Sequence, residues 1–144
     1  MISVCSKIVA PYDDSESSKK ALAKAAALAL ADETIELRII TVVEPSPTVY
    51  FNLLELTAVR EDRLQQARRT LDLAKETLNT LPNTIKTAVL QGEPSAVIVK
   101  YAEQENADLV VMGSRGLSGL KEWVLGSVSH SVVQKASCPV YIVK

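Results

Sequence analysis

The sequence predicts an α/β fold in which a five-stranded parallel sheet is covered by helices on both faces. Segments typical of strands alternate with segments typical of helices, and the strand segments are runs rich in Ile and Val without strict polar alternation. Runs of this kind belong to strands that are buried on both sides. The length of 144 residues, with 47% hydrophobic and 23% charged residues, predicts a single globular domain over residues 1–144.

Five short segments have the composition of strands. Each is rich in Ile and Val and is bounded by Pro, Gly, Asp or Ser. We predict strands at residues 7–10, 35–43, 84–90, 107–112 and 139–143. Open parallel sheets bind ligands at the carboxyl ends of their strands, near the point where the strand order reverses.

Two helices are predicted in the first half of the chain. The first begins after Ser15, a typical N-cap residue, and its apolar residues recur at the spacing of one helix face. The second spans residues 56–81, where Leu64, Leu71 and Leu78 lie seven apart and an apolar residue follows each of them three positions later. This pattern lasts about two and a half heptads, which is short for a coiled coil and favours a helix packed on the sheet.

Two further helices are predicted in the second half. The third opens at Pro94, because proline is favoured in the first turn of a helix. The fourth begins at Gly126 or Ser127 and ends before Cys138. The residues of the third helix that are predicted to face inward are Val97, Ile98, Tyr101 and Ala102.

Composition excludes several classes of protein. The net charge of −1 offers no bulk attraction to nucleic acid or to an anionic membrane. No apolar run approaches the roughly 20 residues that span a bilayer, and the N-terminal segment turns polar too early for a secretory signal. We therefore expect a cytoplasmic protein. Cys5 and Cys138 have neither C-x-x-C nor metal-ligand spacing, which indicates reduced thiols.

Four of the five glycines lie between Gly113 and Gly126. Their spacing matches neither the dinucleotide fingerprint G-x-G-x-x-G nor the Walker A pattern, in which Lys follows the last glycine. The pattern present is Gly113-x-x-Gly116, then nine residues, then Gly126-Ser127. Singly, each glycine is explained by a turn; their joint placement, after a strand and before a helix, favours a ligand site.

The chemistry that this pattern supports is phosphate binding. Gly113 and Gly116 follow a predicted strand, where they permit positive φ and a close approach of main-chain amides to an anion. Gly126 and Ser127 open a helix, whose first N–H groups favour phosphate. The hydroxyls of Ser127 and Ser129 and the charge of Arg115 add further donors.

Other predicted strand ends supply further candidate groups. Asp13 follows the first strand, where a carboxylate can accept hydrogen bonds from ribose hydroxyls; its alternative role is to cap the next helix. The segment Thr41-Val42-Val43 offers main-chain polar groups and an apolar wall for a base. Residues 44–55, with two prolines and two aromatic residues, are expected to overhang this edge as a lid.

These motifs together resemble the universal stress protein family. The resemblance covers nearly the whole chain: PYDDSESS after the first strand, TVVEP after the second, QGEP before the third helix, and GSRG followed after nine residues by GSVSHSVV and SCPVYIVK. It implies a Rossmann-like fold of the adenine-nucleotide α-hydrolase type with strand order 3-2-1-4-5. It also implies a homodimer, formed through the last strand at Val140, Tyr141, Ile142 and Val143.

The glycine pattern is similar to that of the ATP-binding members of this family. The resemblance implies that the adenine lies between two residues, that one carboxylate contacts the ribose, and that the glycine loop holds the phosphates, whose charge Mg²⁺ or Mn²⁺ shares. Thr41 stands where the family often has His, and we expect binding to survive this difference. The residues implied for the adenine are Pro11 and Val42, and the residue implied for the ribose is Asp13. Those implied for the glycine loop and its phosphates are Met112, Gly113, Arg115, Gly116, Gly126, Ser127, Val128 and Ser129.

The function expected is an ATP-binding stress-response protein in which the nucleotide orders the glycine loop and residues 44–55. Hydrolysis is expected to be slow at most, because no residue is a convincing base; His130 is interpreted as an ordinary helix histidine. Two alternatives remain: a dimeric interaction scaffold that binds no nucleotide, and a transferase acting on an adenylate. The transferase would have only Arg115 and Lys121 as candidate catalytic residues.

Overall fold

A computed structural model describes residues 5–45, 53–115 and 125–144. Within these ranges the chain forms five strands and four helices that alternate almost throughout. The strands are β1 (Lys7–Pro11), β2 (Glu36–Val43), β3 (Ile85–Gln91), β4 (Leu109–Gly113) and β5 (Val140–Val143). The helices are α1 (Glu16–Ala29), α2 (Leu53–Glu76), α3 (Pro94–Gln104) and α4 (Ser127–Lys135).

All strand pairs are parallel and the order is β3-β2-β1-β4-β5. The predicted α/β fold and its strand order are therefore confirmed. The order reverses beside β1, so the carboxyl ends of β1, β2 and β4 are the place where a sheet of this kind binds ligands.

Each face of the sheet is covered by its own pair of helices. Successive strand residues point to opposite faces, so Ile8 and Ala10 pack under α1 and α2, whereas Val9 packs under α3 and α4. The apolar seam of α2 packs on the first of these faces, with Leu71 buried to 1% exposure. This confirms the prediction that α2 packs on the sheet.

The predicted helix starts are close to those observed. The Ser15 hydroxyl accepts a hydrogen bond from the Ser18 N–H (3.1 Å), so Ser15 is the N-cap of α1 as predicted. Proline occupies the first turn of α3, and α4 begins at Ser127. The helix α2 begins at residue 53 and not 56, so the last three residues of the predicted lid belong to a helix.

Two predicted ends are wrong for identifiable reasons. The helix α2 ends at Glu76 and not at residue 81, because the chain then tightens into turns in which the N–H of Leu81 donates to the Leu78 carbonyl (3.0 Å). The strand β4 begins at Leu109 and not at residue 107. Asp108 precedes this strand, and its carboxylate accepts the N–H groups of Ser6 (2.8 Å) and Lys7 (2.9 Å).

Among the described residues, no helix has the length and apolar character needed to cross a bilayer.

Candidate functional site

A cleft of about 660 Å³ lies at the carboxyl edge of the sheet. This volume is within the range of small-molecule sites. Segments that follow β1, β2 and β4 line it, together with parts of α2 and α3 and the first turn of α4. All the site residues that the sequence predicted line this one cleft, except Gly116, which lies outside the described residues: Pro11, Asp13, Val42, Met112, Gly113, Arg115, Gly126, Ser127, Val128 and Ser129.

The two bends marked by Gly113 and Gly126 are in contact. The Gly126 N–H donates to the Ser114 carbonyl (2.7 Å), and the Ser129 hydroxyl lies 3.0 Å from both the Ser114 and the Gly126 carbonyl oxygens. The two glycine-marked bends that were assigned to one phosphate site are therefore adjacent. The same contacts correct two expectations, because the Gly126 amide and the buried Ser129 hydroxyl already bond within the protein.

The first bend uses its amides internally as well. The Ser114 N–H donates to the Val143 carbonyl (2.9 Å), and the Arg115 N–H donates to the Ser17 hydroxyl (3.3 Å). These two groups tie the end of β4 to β5 and to α1. The bend around Gly113 is therefore mainly a structural junction as far as the structure describes it.

Gly113 is required for close packing and not for a positive φ. Of the glycines that the structure describes, Gly92 alone has a positive φ, at 138°. A Cβ added to Gly113 would lie 2.7 Å from the carbonyl carbon of Ser17 and 2.9 Å from its Cβ. Only a residue without a side chain lets the first turn of α1 approach the end of β4 this closely.

The start of α4 is the part of the loop whose amides remain open to a ligand. Gly126 is the N-cap, with φ −61° and ψ 158°, and the helix has no side-chain cap among the described residues. The N–H groups of the first helical residues have no acceptor within the helix. Ser127, Val128 and Ser129 thus present amide donors to the cleft at the positive end of the helix dipole. This arrangement favours an anion.

The end of β2 offers a donor and an acceptor side by side. The Ile40 carbonyl accepts the Tyr12 N–H (2.8 Å), so the main chain of Ile40 faces β1, whereas that of Val43 faces β3, where its carbonyl accepts the Gly92 N–H (3.1 Å). Since main-chain groups alternate along a ladder, Val42 faces the β1 side, but β1 has ended at Pro11.

Beyond the end of β1, the Thr41 hydroxyl and not the Val42 N–H donates to the next main-chain carbonyl. The next acceptor after the end of β1 is the Tyr12 carbonyl, and the Thr41 hydroxyl donates to it (2.7 Å). Among the described residues no hydrogen bond joins the Val42 N–H to that carbonyl. Thr41 thus fixes the loop after β1 and leaves a main-chain edge free to recognise a planar ligand.

Asp13 lies in this loop and is exposed to the cleft. Its Oδ1 accepts the Ser15 N–H (3.0 Å), while Ser15 itself caps α1. The alternative in which Asp13 is the helix cap is therefore wrong. Within the described part of the chain, its Oδ2 accepts no hydrogen bond, which leaves a carboxylate oxygen for hydroxyl donors.

One wall of the cleft was not predicted from the sequence. Arg63, Gln66, Ala67 and Thr70 of α2 line it, opposite the first turn of α4. Their spacing is that of one helix face, and three polar residues on that face were the available signal. The Thr70 hydroxyl donates to the Gln66 carbonyl (3.0 Å).

The charges around the cleft are mixed. Asp13, Asp14 and Glu44 contribute carboxylates, and Arg63 and Arg115 contribute guanidinium groups. In the part of the protein that the structure describes, no cluster of His, Cys, Asp and Glu could hold a metal ion. His130 is exposed on α4 and is not among the described residues that line the cleft.

Sequence and structure comparisons identify relatives over nearly the whole chain. The model of the universal stress protein family matches residues 5–144. The universal stress protein YxiE of Bacillus subtilis is 36% identical, over 96% of this chain and 98% of its own. The universal stress protein MJ0577 of Methanocaldococcus jannaschii is 33% identical, over 96% of this chain and 94% of its own.

Solved structures agree with this result. The structure of MJ0577 superposes with a TM-score of 0.86 at 29% identity, over 99% of this chain and 97% of that one. A universal stress protein in complex with cAMP superposes with a TM-score of 0.74 at 25% identity, over 99% of both chains.

Proposed function

Because this chain belongs to the universal stress protein family, we propose that it binds an adenine nucleotide, ATP in particular, in the cleft at the carboxyl edge of its sheet. The observation that supports this most strongly is the uncapped first turn of α4, whose amides face the same cleft as the open main-chain edge of Val42. One cleft thus offers an anion site and a site for a planar heterocycle. The related protein that was solved with cAMP supports the same ligand class.

The base end of the cleft suits adenine. A backbone amide donor beside a backbone carbonyl acceptor matches the adenine edge, where N1 accepts and the N6 amino group donates. Guanine presents N1–H and O6 at the same places, so both contacts would be repulsive. Pro11 and Val42, which line the cleft, would supply apolar surface beside the ring, and Met112 would lie along the ribose.

The phosphate end suits a series of linked phosphates. The amides of Ser127, Val128 and Ser129 would bind phosphate oxygens, helped by the helix dipole, and Arg115 would contribute charge from the other bend. Gly116 keeps its predicted role beside the first phosphates. Mg²⁺ or Mn²⁺ would be held through the phosphates themselves, consistent with the absence of a protein metal cluster among the described residues.

The proposed role is that of a nucleotide-dependent switch in the stress response, with hydrolysis slow at most. A ligand that binds only the folded state stabilises it by mass action, and ordering of the segments that border the cleft would alter the surface shown to partners. No residue of the described cleft is assigned as a base for water, so we propose slow hydrolysis at most.

We also propose a homodimer that pairs through β5. This strand lies at the edge of the sheet, hydrogen-bonded to β4 on one side. An open apolar edge invites pairing with another strand. Tyr141, with 41% of its surface exposed, would be covered in such a pair.

The alternative function is a dimeric scaffold without nucleotide. One observation favours it: the amides of Ser114, Arg115 and Gly126 are already used within the protein. The nucleotide content of freshly purified protein, released by denaturation and identified by chromatography, distinguishes the two functions when combined with calorimetric titration of ATP and magnesium. Absence of nucleotide together with absence of heat would favour the scaffold.

The decisive variant removes one amide from the proposed phosphate site. Ser127 is the first residue of α4, where proline is well tolerated, and Gly126 has the extended conformation that a following proline requires. Ser127→Ala removes the hydroxyl alone and is the matched control. We expect Ser127→Pro to bind ATP about tenfold more weakly than Ser127→Ala, since a hydrogen bond to a charged group is lost. Equal affinities in calorimetry, with unchanged thermal stability, would contradict the assignment.

A further inference from the structure

The loop between β1 and α1 contains an unusual conformation next to the proposed ribose-binding carboxylate. Asp14 has a φ of 65°, in the left-handed region. Residues other than glycine adopt this region uncommonly, although Asp and Asn tolerate it best. The backbone needs this reversal to pass from Asp13, which faces the cleft, to Ser15, which caps α1.

Tyr12 holds this conformation in place. Its ring is buried in the core under α1, with 8% of the residue exposed, and its hydroxyl donates to Asp14 Oδ1 (3.1 Å). Its main chain is fixed on both sides, by the N–H to the Ile40 carbonyl (2.8 Å) and by the carbonyl to the Thr41 hydroxyl (2.7 Å). The Tyr12 hydroxyl is therefore held in a fixed position, and its hydrogen bond holds the Asp14 carboxylate in place.

The protonation state of the phenol supports this arrangement. Burial of the ring and the hydrogen bond to Asp14 raise the pKa of Tyr12 to about 12. The hydroxyl therefore remains a donor at neutral pH and well above it.

The consequence concerns Asp13. Its N–H lies 3.4 Å from the Ser18 hydroxyl and its Oδ1 accepts the Ser15 N–H (3.0 Å), so the direction of Oδ2 depends on the backbone path through Asp14. If Asp14 rotated out of the left-handed region, the Ser15 N–H could not reach Asp13 in this geometry. The carboxylate would then lose its fixed direction.

We propose that Tyr12 and Asp14 are positioning residues, whose mutual hydrogen bond aims the Asp13 carboxylate at the hydroxyls of a ribose ring in the cleft. Neither residue needs to touch the ligand for this role. The inference rests on the proposed nucleotide binding, and it goes further by assigning sugar recognition to the pair.

The test compares two nucleotides on the same proteins. ATP and 2′,3′-dideoxyATP, each with magnesium, share base and phosphates, but only ATP has the ribose hydroxyls. We expect Tyr12→Phe to weaken ATP about fivefold and to change dideoxyATP less than about twofold, because one side-chain hydrogen bond that positions Asp13 is lost. Calorimetric titration measures both affinities, and Asp13→Ala should show the same selectivity with a larger loss for ATP.

Two substitutions of Asp14 give a second test, which does not depend on whether Tyr12→Phe folds. Asp14→Gly removes the carboxylate and still allows a positive φ, so it should reproduce the effect of Tyr12→Phe. Asp14→Asn keeps an acceptor and tolerance of the left-handed region, so the ratio of its ATP and dideoxyATP affinities should equal that of the wild type, while removal of a carboxylate from the cleft changes both affinities alike. The double variant Tyr12→Phe, Asp14→Gly should have the same ratio of ATP to dideoxyATP affinity as either single variant, since each removes the same Tyr12–Asp14 hydrogen bond. Asp14→Gly also removes the exposed Lys19–Asp14 ion pair (3.8 Å), which should affect both nucleotides alike.

The outcomes separate this inference from the function on which it rests. Equal weakening of both nucleotides, or no weakening of either, in Tyr12→Phe and Asp14→Gly would overturn the positioning role. Equal affinity of the wild type for ATP and dideoxyATP would also overturn it and leave nucleotide binding intact. Failure of the wild type to bind either nucleotide would overturn the proposed function, and the inference with it.

Discussion

At the amino edge of the sheet the charged groups of Arg38 and Lys7 are paired within the protein, whereas at the carboxyl edge several main-chain groups face a cleft. Arg38, near the start of β2, donates to the Tyr101 hydroxyl and to Glu105 (both 3.1 Å), and the Lys7 ammonium donates to the Glu105 carbonyl (2.8 Å). At the opposite edge the Val42 main chain and the first amides of α4 lack such partners among the described residues.

Under the proposed function, this difference assigns stability and binding to opposite ends of the same strands. Buried or half-buried polar groups stabilise a fold when they are satisfied. Groups left unpaired at the edge where parallel sheets bind ligands are available for recognition. Substitutions at the amino edge should therefore change stability without affinity, and substitutions at the carboxyl edge should do the reverse, except where a residue there is itself structural.

Asn83 gives the largest expected effect. It is buried at the amino edge, and its side-chain nitrogen donates to the carbonyls of Ala29 (2.9 Å), Asp32 (3.0 Å) and Ile35 (2.9 Å), whereas its Oδ1 has no partner among the described residues. Asn83→Ala leaves these carbonyls without that donor and should lower the free energy of unfolding by about 3 kcal/mol. Urea denaturation measures the loss, and ATP affinity of the folded protein should change less than about twofold.

The matched control for Asn83 is the exposed Asn79. It lies in the turns after α2, so Asn79→Ala should stay within about 0.5 kcal/mol of the wild type. A clear loss of ATP affinity in folded Asn83→Ala would contradict the division between the two edges.

The fold was accessible from the sequence because its main signals are local. Runs of Ile and Val, the N-cap Ser15 and the first-turn Pro94 each report on neighbouring residues, and they placed every described strand and helix in the correct order. The ends of elements were harder to predict, since local turns end α2 early and contacts between distant residues surround the start of β4. Asp108 forms a bend before β4, and both its main-chain N–H and its carboxylate bond to residues about 100 positions earlier in the sequence, which no local pattern predicts.

The candidate site could be predicted from the sequence only in part. Its location at Gly126 and Asp13 follows from strand ends and helix starts, which local patterns reveal. Which amides are free does not follow, because the Gly126 N–H is taken by the Ser114 carbonyl through tertiary packing. The α2 wall was missed although Arg63, Gln66 and Thr70 share one helix face, because that local pattern does not tell whether the face borders a cleft or bulk solvent.

Gly113 lies at the carboxyl edge but has a structural role, so its substitution should change stability. Its added Cβ would meet the main chain of Ser17, which cannot move without displacing α1. Gly113→Ala should cost about 2 kcal/mol of stability through overpacking. Gly126→Ala is the comparison, since the nearest atom to its Cβ, the Ser114 carbonyl oxygen, lies 3.2 Å away. We expect the smaller loss there in thermal or urea unfolding. Equal losses would show that the two bends are packed alike.

Asp108, at the amino edge, gives the smallest expected effect on stability, and that effect should depend on pH. Its pKa lies below the ordinary value, first because the Ser6 N–H donates to the carboxylate, with the Ser6 hydroxyl and the Lys7 N–H also bonded. A lowered folded-state pKa means that the ionised group stabilises the fold above the unfolded-state pKa of about 4, and that this contribution is lost as pH falls through the folded-state value.

Asp108→Asn keeps an acceptor for these donors but removes the charge. The variant should be about 1 kcal/mol less stable at pH 7, because charge-assisted hydrogen bonds become neutral ones. The difference should shrink as the pH falls below about 4, where the wild-type carboxylate also becomes neutral. Urea unfolding at a series of pH values measures it, and a difference that stayed constant down to about pH 2 would show that packing, not charge, makes Asp108 stabilising at the amino edge.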